Sequence, residues 1–384
     1  LRKYRSEDAR MLGNEATAEE FLAHLVGAFG EVWRVLRDDG SCWVNIGDTR
    51  DGLNAAMIPA RFALAMQADG WILRDCITWA KPSSMPESVR GWLWEPCRVK
   101  VAGGRVPRHG VDRGAGHVDE SDVSNREDGA TWSPCPGCAK CAPNGGLVLR
   151  RGNWRTTNAS EMIYLFVKRP GAYLDGEAVK LVAKSGMMRG TFRGSVGGYV
   201  NNHARISSDA APISQVGSVQ SSAEVNLRNV WSDITPEAHA FGHYATFPMD
   251  LPTRCILAGT SEEGVCASCG APWARVVERD TTLAESRRGT TSYARRGLEA
   301  GNRFASATPG VTTETRTLSW RATCGCPDAP PVPATVLDPF GGTMTTCIAA
   351  MRLGRRSVGL DLSQGYLEIA QRRLAAETLP LGGV

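Results

Sequence analysis

Four thiols late in the chain fall into two short spacings: Cys266 and Cys269 as C-x-x-C, and Cys324 and Cys326 as C-x-C. Together they offer the four thiolates of a tetrahedral zinc site, which would tie residues 270–323 as a loop at its base. A second group, Cys135, Cys138 and Cys141, runs as C-x-x-C-x-x-C and needs a fourth ligand. Cys97 in "WEPCRVK" is the best candidate, with His109 or His117 as substitutes. Reduced free thiols are the alternative for both groups. Either ion would be structural. The chain has twelve cysteines and no visible secretory signal, which argues against a disulfide framework. Cys42, Cys76, Cys255 and Cys347 lie in apolar segments and read as core residues.

A different chemistry is written in "VLDPFGGTMTTCIAAMRLGRRSVGLDLS", residues 336–363. It reads as strand, glycine-bearing turn, helix, and a second strand ending in an acid. Gly341 and Gly342 let the backbone turn sharply and come close to a ligand. Asp361 stands where a carboxylate can accept both hydroxyls of a ribose. The plain alternative is an ordinary βαβ crossover. The turn has neither the P-loop Gly-Lys-Ser/Thr nor a G-x-G-x-x-G. The second absence counts against a nicotinamide-dependent oxidoreductase.

The elements that must position these residues alternate. Residues 17–39 predict an amphipathic helix, with a capping box at Thr17 and Glu20, an apolar stripe of Phe21, Leu25, Phe29, Val32 and Leu36, and a stop at Gly40. A strand is expected over 41–48, a helix over 57–70 and a strand over 71–81. Another strand is expected at 161–169, a loop leading into a helix over 243–260, and a last helix at "SQGYLEIAQRRLAAE". This alternation predicts an α/β fold with a mostly parallel sheet and helices on both faces. Residues 82–158, 185–230 and 279–321 are polar excursions without sustained periodicity, and 185–230 reads as a mobile loop. The expected division is 1–81, 82–230, and 231–384 with an insert at 262–328.

"DPFGGTMTT" resembles the D-P-F-x-G-x-G-T-T cofactor motif of S-adenosylmethionine-dependent DNA amino-methyltransferases, which methylate the exocyclic amine of adenine or cytosine. "RSVGLDLSQGYLEIAQRRL" is similar to the next strand and helix in that family. "HYATFP" is similar to its segment closing over the methionine end of the cofactor. The resemblance implies a Rossmann-like methyltransferase fold in permuted order: catalytic half first, target recognition next, cofactor half last, with zinc-ribbon-like loops here added. It implies that Asp338, Pro339 and Phe340 line the cofactor and that Gly341 and Gly342 make the turn. Asp361 would hold the ribose, and Thr246, Phe247 and Pro248 would close the pocket. Met344 departs from the pattern, standing where the family usually has its second glycine. A side chain there would narrow the pocket or mark a different helix start.

The family's Asp/Asn/Ser-Pro-Pro-aromatic tetrapeptide, which binds the target amine and stacks on the flipped base, does not occur in the chain. The first residues resemble the family's sequence immediately after that tetrapeptide, so the catalytic loop is expected upstream of Leu1. The alternative is a relic that binds DNA without methylating it. Double-stranded DNA is the implied partner. Net charge is only +4, but all except seven of the 44 basic residues are Arg, which suits phosphate and guanine. "KPSSMPESVRGWLWEPCRVK" and "GLVLRRGNWRTTNAS" interleave Arg with Trp, and DNA contact is expected there. No apolar run approaches the ~20 residues of a membrane span, so a cytoplasmic protein is expected.

Overall fold

The computed structural model describes residues 12–82, 90–102, 131–182, 224–235, 247–283, 311–327 and 329–378. The chain divides into two compact units: residues 1–174, 228–260 and 332–384 form one, and residues 175–227 and 261–331 the other. The expected mobile loop at 185–230 falls largely outside the described residues.

The first unit opens with α1 (Ala18–Val35), whose capping box is present: Thr17 Oγ1 accepts from the Glu20 amide at 3.1 Å, and Glu20 Oε2 accepts from the Thr17 amide at 3.3 Å. Its buried residues are Leu22, Leu25 and Phe29. Phe21, Val32 and Leu36 of the expected stripe pack at the margins of that core. The apolar face is therefore wider than a single row and centres one position away. After it come β1 (Ser41–Ile46), α2 (Ile58–Ala68) and β2 (Ile72–Ala80). Four strands come next, in the region that lacks periodicity in sequence: β3 (Trp92–Pro96), β4 (Arg98–Ala102), β5 (Thr131–Pro134) and β6 (Leu147–Arg151). β3 pairs antiparallel with β6, and β4 with β5. Neither ladder enters the main sheet, so apolar alternation is not required of them.

β7 (Ser160–Val167) and β8 (Val230–Trp231) complete a four-stranded sheet in the order β1-β7-β2-β8. β7 is antiparallel to both β1 and β2, while β8 is parallel to β2. Three strands thus run one way and β7 runs against them. Five consecutive β7 residues, Ile163 to Val167, are buried. A strand covered on both faces reads as an unbroken apolar run, as "MIYLFV" does. Phe166 lies opposite Cys42 and Leu73 in the two ladders. Its ring stands 6.1 Å from Phe62 and 6.2 Å from Trp71, both edge-on.

Short two-residue strands and 3-10 turns aside, the other described elements are α3 (Asp250–Gly259), β9 (Trp273–Leu283), β10 (Val311–Ala322), β11 (Thr335–Asp338), α4 (Thr345–Arg352), β12 (Arg356–Gly359) and α5 (Gln364–Thr378). β11 and β12 are parallel, with α4 as the crossover, as the motif predicts. α3 packs on α4 through Ile256, Ala349 and Ala350. In the second unit β9 and β10 form one long antiparallel ladder. Its strands run well into 279–321, which the sequence pattern presents as an excursion. The run "VTTETRTLSWRA" is β-branched rather than apolar, which suits a ladder exposed to water. Arg275 anchors its base, donating to Asp175 at 2.7 Å and Glu262 at 2.6 Å.

Cys42, Cys255 and Cys347 are buried, but Cys76 is exposed. It lies just past a register shift between Leu73 and Asp75 and alternates with the buried Ile77 and Trp79. Among the described residues, no helix is long and apolar enough to cross a membrane.

Candidate functional site

Four backbone amides of the turn between β11 and α4 are engaged in hydrogen bonds. The Phe340 amide donates to Asp338 Oδ1 at 3.0 Å, and the Gly341 amide to the Leu360 carbonyl at 2.8 Å. The Gly342 amide donates to Asp361 Oδ2 at 2.9 Å, and the Met344 amide to the Gly341 carbonyl at 2.7 Å. Asp361 Oδ1 also accepts from the Ser363 amide at 2.7 Å. One carboxylate thereby clamps the turn to the end of β12. Gly342 has φ 51°, in the left-handed region that favours glycine.

Met344 also has a left-handed backbone, at φ 63°, and is the residue from which α4 starts. Its side chain is buried against Cys347 and Ala370, with Leu367 and Leu374 beside them. A Cβ added at Gly341 would lie 2.5 Å from Met344 Sδ. The thioether fills space that the neighbouring glycine leaves, packing between α4 and α5. Met344→Gly is therefore expected to destabilise the fold by up to about 4 kcal/mol: loss of a buried Met side chain costs about 2–5 kcal/mol, and relief of the left-handed backbone returns about 1–2. Denaturant unfolding measures it; a more stable variant would show that strain dominates there.

Sequence pattern does not single out Arg373. It donates to the Thr343 carbonyl at 2.6 Å, Thr343 Oγ1 at 2.7 Å and Thr345 Oγ1 at 3.2 Å. Both threonines are buried, so α5 pins the start of α4. Two threonines flanking the turn are the signal that could have found it. Phe340 is 48% exposed, and its ring lies 6.0 Å from Phe29 of α1. Asp338 and Pro339 are half-buried. Pro248 is buried and Phe247 half-buried, immediately before α3. The α3–α4 packing ties that segment to the helix leaving the turn. Thr246 lies outside the described residues.

The chemistry of this turn comes from its bonds. The amides of Phe340, Gly341, Gly342 and Met344 are all spent internally. A turn that cradles phosphate needs such amides aimed at the ligand. Two carboxylates rim this one, and they disfavour an anion. Asp361 uses one position on each oxygen, while a carboxylate offers about four. The turn suits a ligand with hydroxyl donors, a flat ring and positive charge.

The cysteines converge as well. The thiols of Cys97, Cys135, Cys138 and Cys141 lie within 4.8 Å of one another, and so do those of Cys266, Cys269, Cys324 and Cys326. Neither His109 nor His117 is among the described residues. The Cys141 and Lys140 backbone N–H groups hold the Cys138 thiol down to about 6, and that of Cys269 does the same for Cys266. Within the same quartets, desolvation and neighbouring thiols push Cys97 up to about 12, and the Cys269 and Cys324 thiols do the same for Cys326; burial alone pushes the core thiols Cys42 and Cys255 up to about 12.

The chain matches the DNA methylase family, of the N6/N4 methyltransferase type, over residues 4–267 and 332–372, and it belongs to that family. Among curated relatives, it is 26% identical over 289 residues to the Type II methyltransferase M.Cfr9I of Citrobacter freundii, covering 68% of this chain and 62% of that protein. It is 38% identical over 110 residues to M.SfiI of Streptomyces fimbriatus, 23% of this chain and 26% of that protein. The chain thus spans less than two thirds of the length of these relatives. The solved PvuII DNA methyltransferase (cytosine-N4-specific) aligns at 13% identity and a TM-score of 0.42, over 97% of this chain and 78% of that one. A likeness of that degree decides nothing further.

Proposed function

We propose that the chain acts as a site-specific DNA methyltransferase, passing a methyl group from S-adenosylmethionine to the exocyclic amine of adenine or cytosine in duplex DNA. The observation that carries this reading is the Asp338–Met344 turn of a DNA methylase family member, clamped by Asp361 and closed to phosphate. A nicotinamide dinucleotide would set its pyrophosphate against two carboxylates and amides already engaged. S-adenosylmethionine has no phosphate and bears a positive sulfonium, which supplies the activated methyl group when bound. Asp361 would accept the ribose hydroxyls, Phe340 would offer its exposed ring to the adenine, and Asp338 would face the methionine side. Thr246, Phe247 and Pro248 would close the pocket.

The 82–230 insert would carry target recognition. Trp92 and Trp94 are 67% and 51% exposed and share one face of β3, and the Arg151 guanidinium lies 4.9 Å from the Trp92 ring centre. Such a face can stack on bases and hold phosphate. Calorimetry with S-adenosylmethionine and with a nicotinamide dinucleotide tests the cofactor: binding of the first alone is expected, and binding of the second alone overturns the reading. Labelled methyl transfer to duplex DNA and subsequent base analysis separate adenine from cytosine. Cofactor and DNA binding without transfer would favour a relic.

A further inference from the structure

We propose that each cysteine quartet binds one zinc ion through four thiolates, giving the chain two structural zinc centres, one in each compact unit. The inference stands apart from the methyltransferase reading, because neither quartet shares a residue with the turn.

The distances come first. Zn–S bonds near ~2.3 Å set sulfur atoms at the corners of a tetrahedron with edges of about 3.8 Å. In the first quartet Cys97 and Cys138 are 3.9 Å apart, Cys138 and Cys141 3.6 Å, and Cys135 and Cys141 3.9 Å. A disulfide would need about 2.05 Å, and all twelve cysteines are free. The second quartet meets the same mutual limit of 4.8 Å. The backbone is shaped to match. Gly137, between Cys135 and Cys138, has φ 121°, and Gly270, next to Cys269, has φ 73°. The Gly270 amide donates back to the Cys266 carbonyl at 2.8 Å.

Little else holds these segments. Across residues 90–102 and 131–159, Cys141 is the only residue whose described side chain is buried. Trp92, Trp94, Val99, Trp132 and Leu147 are all exposed. Two-stranded ladders without an apolar face are at best marginally stable in water. Yet β3 to β6 converge on one point: Cys97 lies between β3 and β4, Cys135 follows β5, and Cys138 and Cys141 precede β6. Small units lacking a core are commonly held by metal. The second quartet likewise closes the base of the β9–β10 ladder. Three of its cysteines, Cys269, Cys324 and Cys326, fall in residues 268–331, outside the family match. That centre is an addition to the family's shared frame.

The test is metal analysis of the full chain, purified under reducing conditions without chelator. Two zinc ions per chain are expected, falling to one in Cys138→Ser and to one in Cys269→Ser. Should either variant fail to fold, X-ray absorption on the unmodified protein gives the same answer: four sulfur neighbours at about 2.3 Å. Fewer than two zinc ions in the unmodified protein, iron in their place, or disulfides within a quartet would overturn the proposal.

Discussion

Asp361→Ala is expected to weaken binding of S-adenosylmethionine by about 1–3 kcal/mol, a factor of roughly 5 to 150 in dissociation constant. Two losses combine. The ribose loses its acceptor, and the Gly342 and Ser363 amides lose theirs. The second loss loosens the turn before any ligand arrives. Faster hydrogen exchange at the Gly342 and Ser363 amides of the free protein would report it. Asp361→Asn keeps the shape and one acceptor oxygen and should fall between the two. Calorimetry measures all three proteins, and unchanged affinity in the alanine variant would remove Asp361 from the site.

Phe166→Ala is expected to cost about 3–5 kcal/mol of stability, the range for truncating a buried aromatic. Phe166 is fully buried on β7, between β1 and β2, with the Phe62, Trp71 and Tyr164 rings around it. No exposed side chain can swing in to fill the cavity, because its ladder neighbours are fixed by pairing on both sides. Denaturant unfolding of the variant checks this, with Leu64→Ala as control. Leu64 is 66% exposed on α2, and its loss should move stability by no more than about 0.5 kcal/mol. Equal effects from the two would mean that β7 is not the centre of the core.

What the sequence makes legible is local. The Thr17–Glu20 capping box, the helix after Ile58 and the β11–α4–β12 unit each depend on residues within a turn or two. Their types alone dictate them. The position of β7 depends instead on pairing with strands about 90 and 120 residues earlier, and nothing in "MIYLFV" says that it runs against its neighbours. The β3–β6 and β4–β5 ladders escape sequence reasoning because they bury almost nothing, so no alternation marks them. At the site, the glycines and Asp361 stand out by type. The Arg373 bonds and the Phe29–Phe340 contact do not, since each joins residues far apart in the chain. Met344 is visible as a departure, but the reason it is tolerated lies in the space beside Gly341 and Gly359.

The pairing of β2 with β7 bears on how such a protein can change over generations. Ala80 lies opposite Ser160, the Lys81 amide donates to the Ala159 carbonyl at 2.8 Å, and Lys81 is ion-paired with Glu161. The chain therefore leaves the sheet after Lys81 and re-enters it before Ser160 at adjacent points, so the intervening segment begins and ends side by side. For a flexible loop, closure entropy rises only with the logarithm of its length, about 0.6 kcal/mol per doubling. A segment whose ends meet in this way can be lengthened, trimmed or exchanged whole at little thermodynamic cost to the sheet. The clamp at Asp361 lies outside that segment, so a change of length or content there leaves the turn's own bonds untouched.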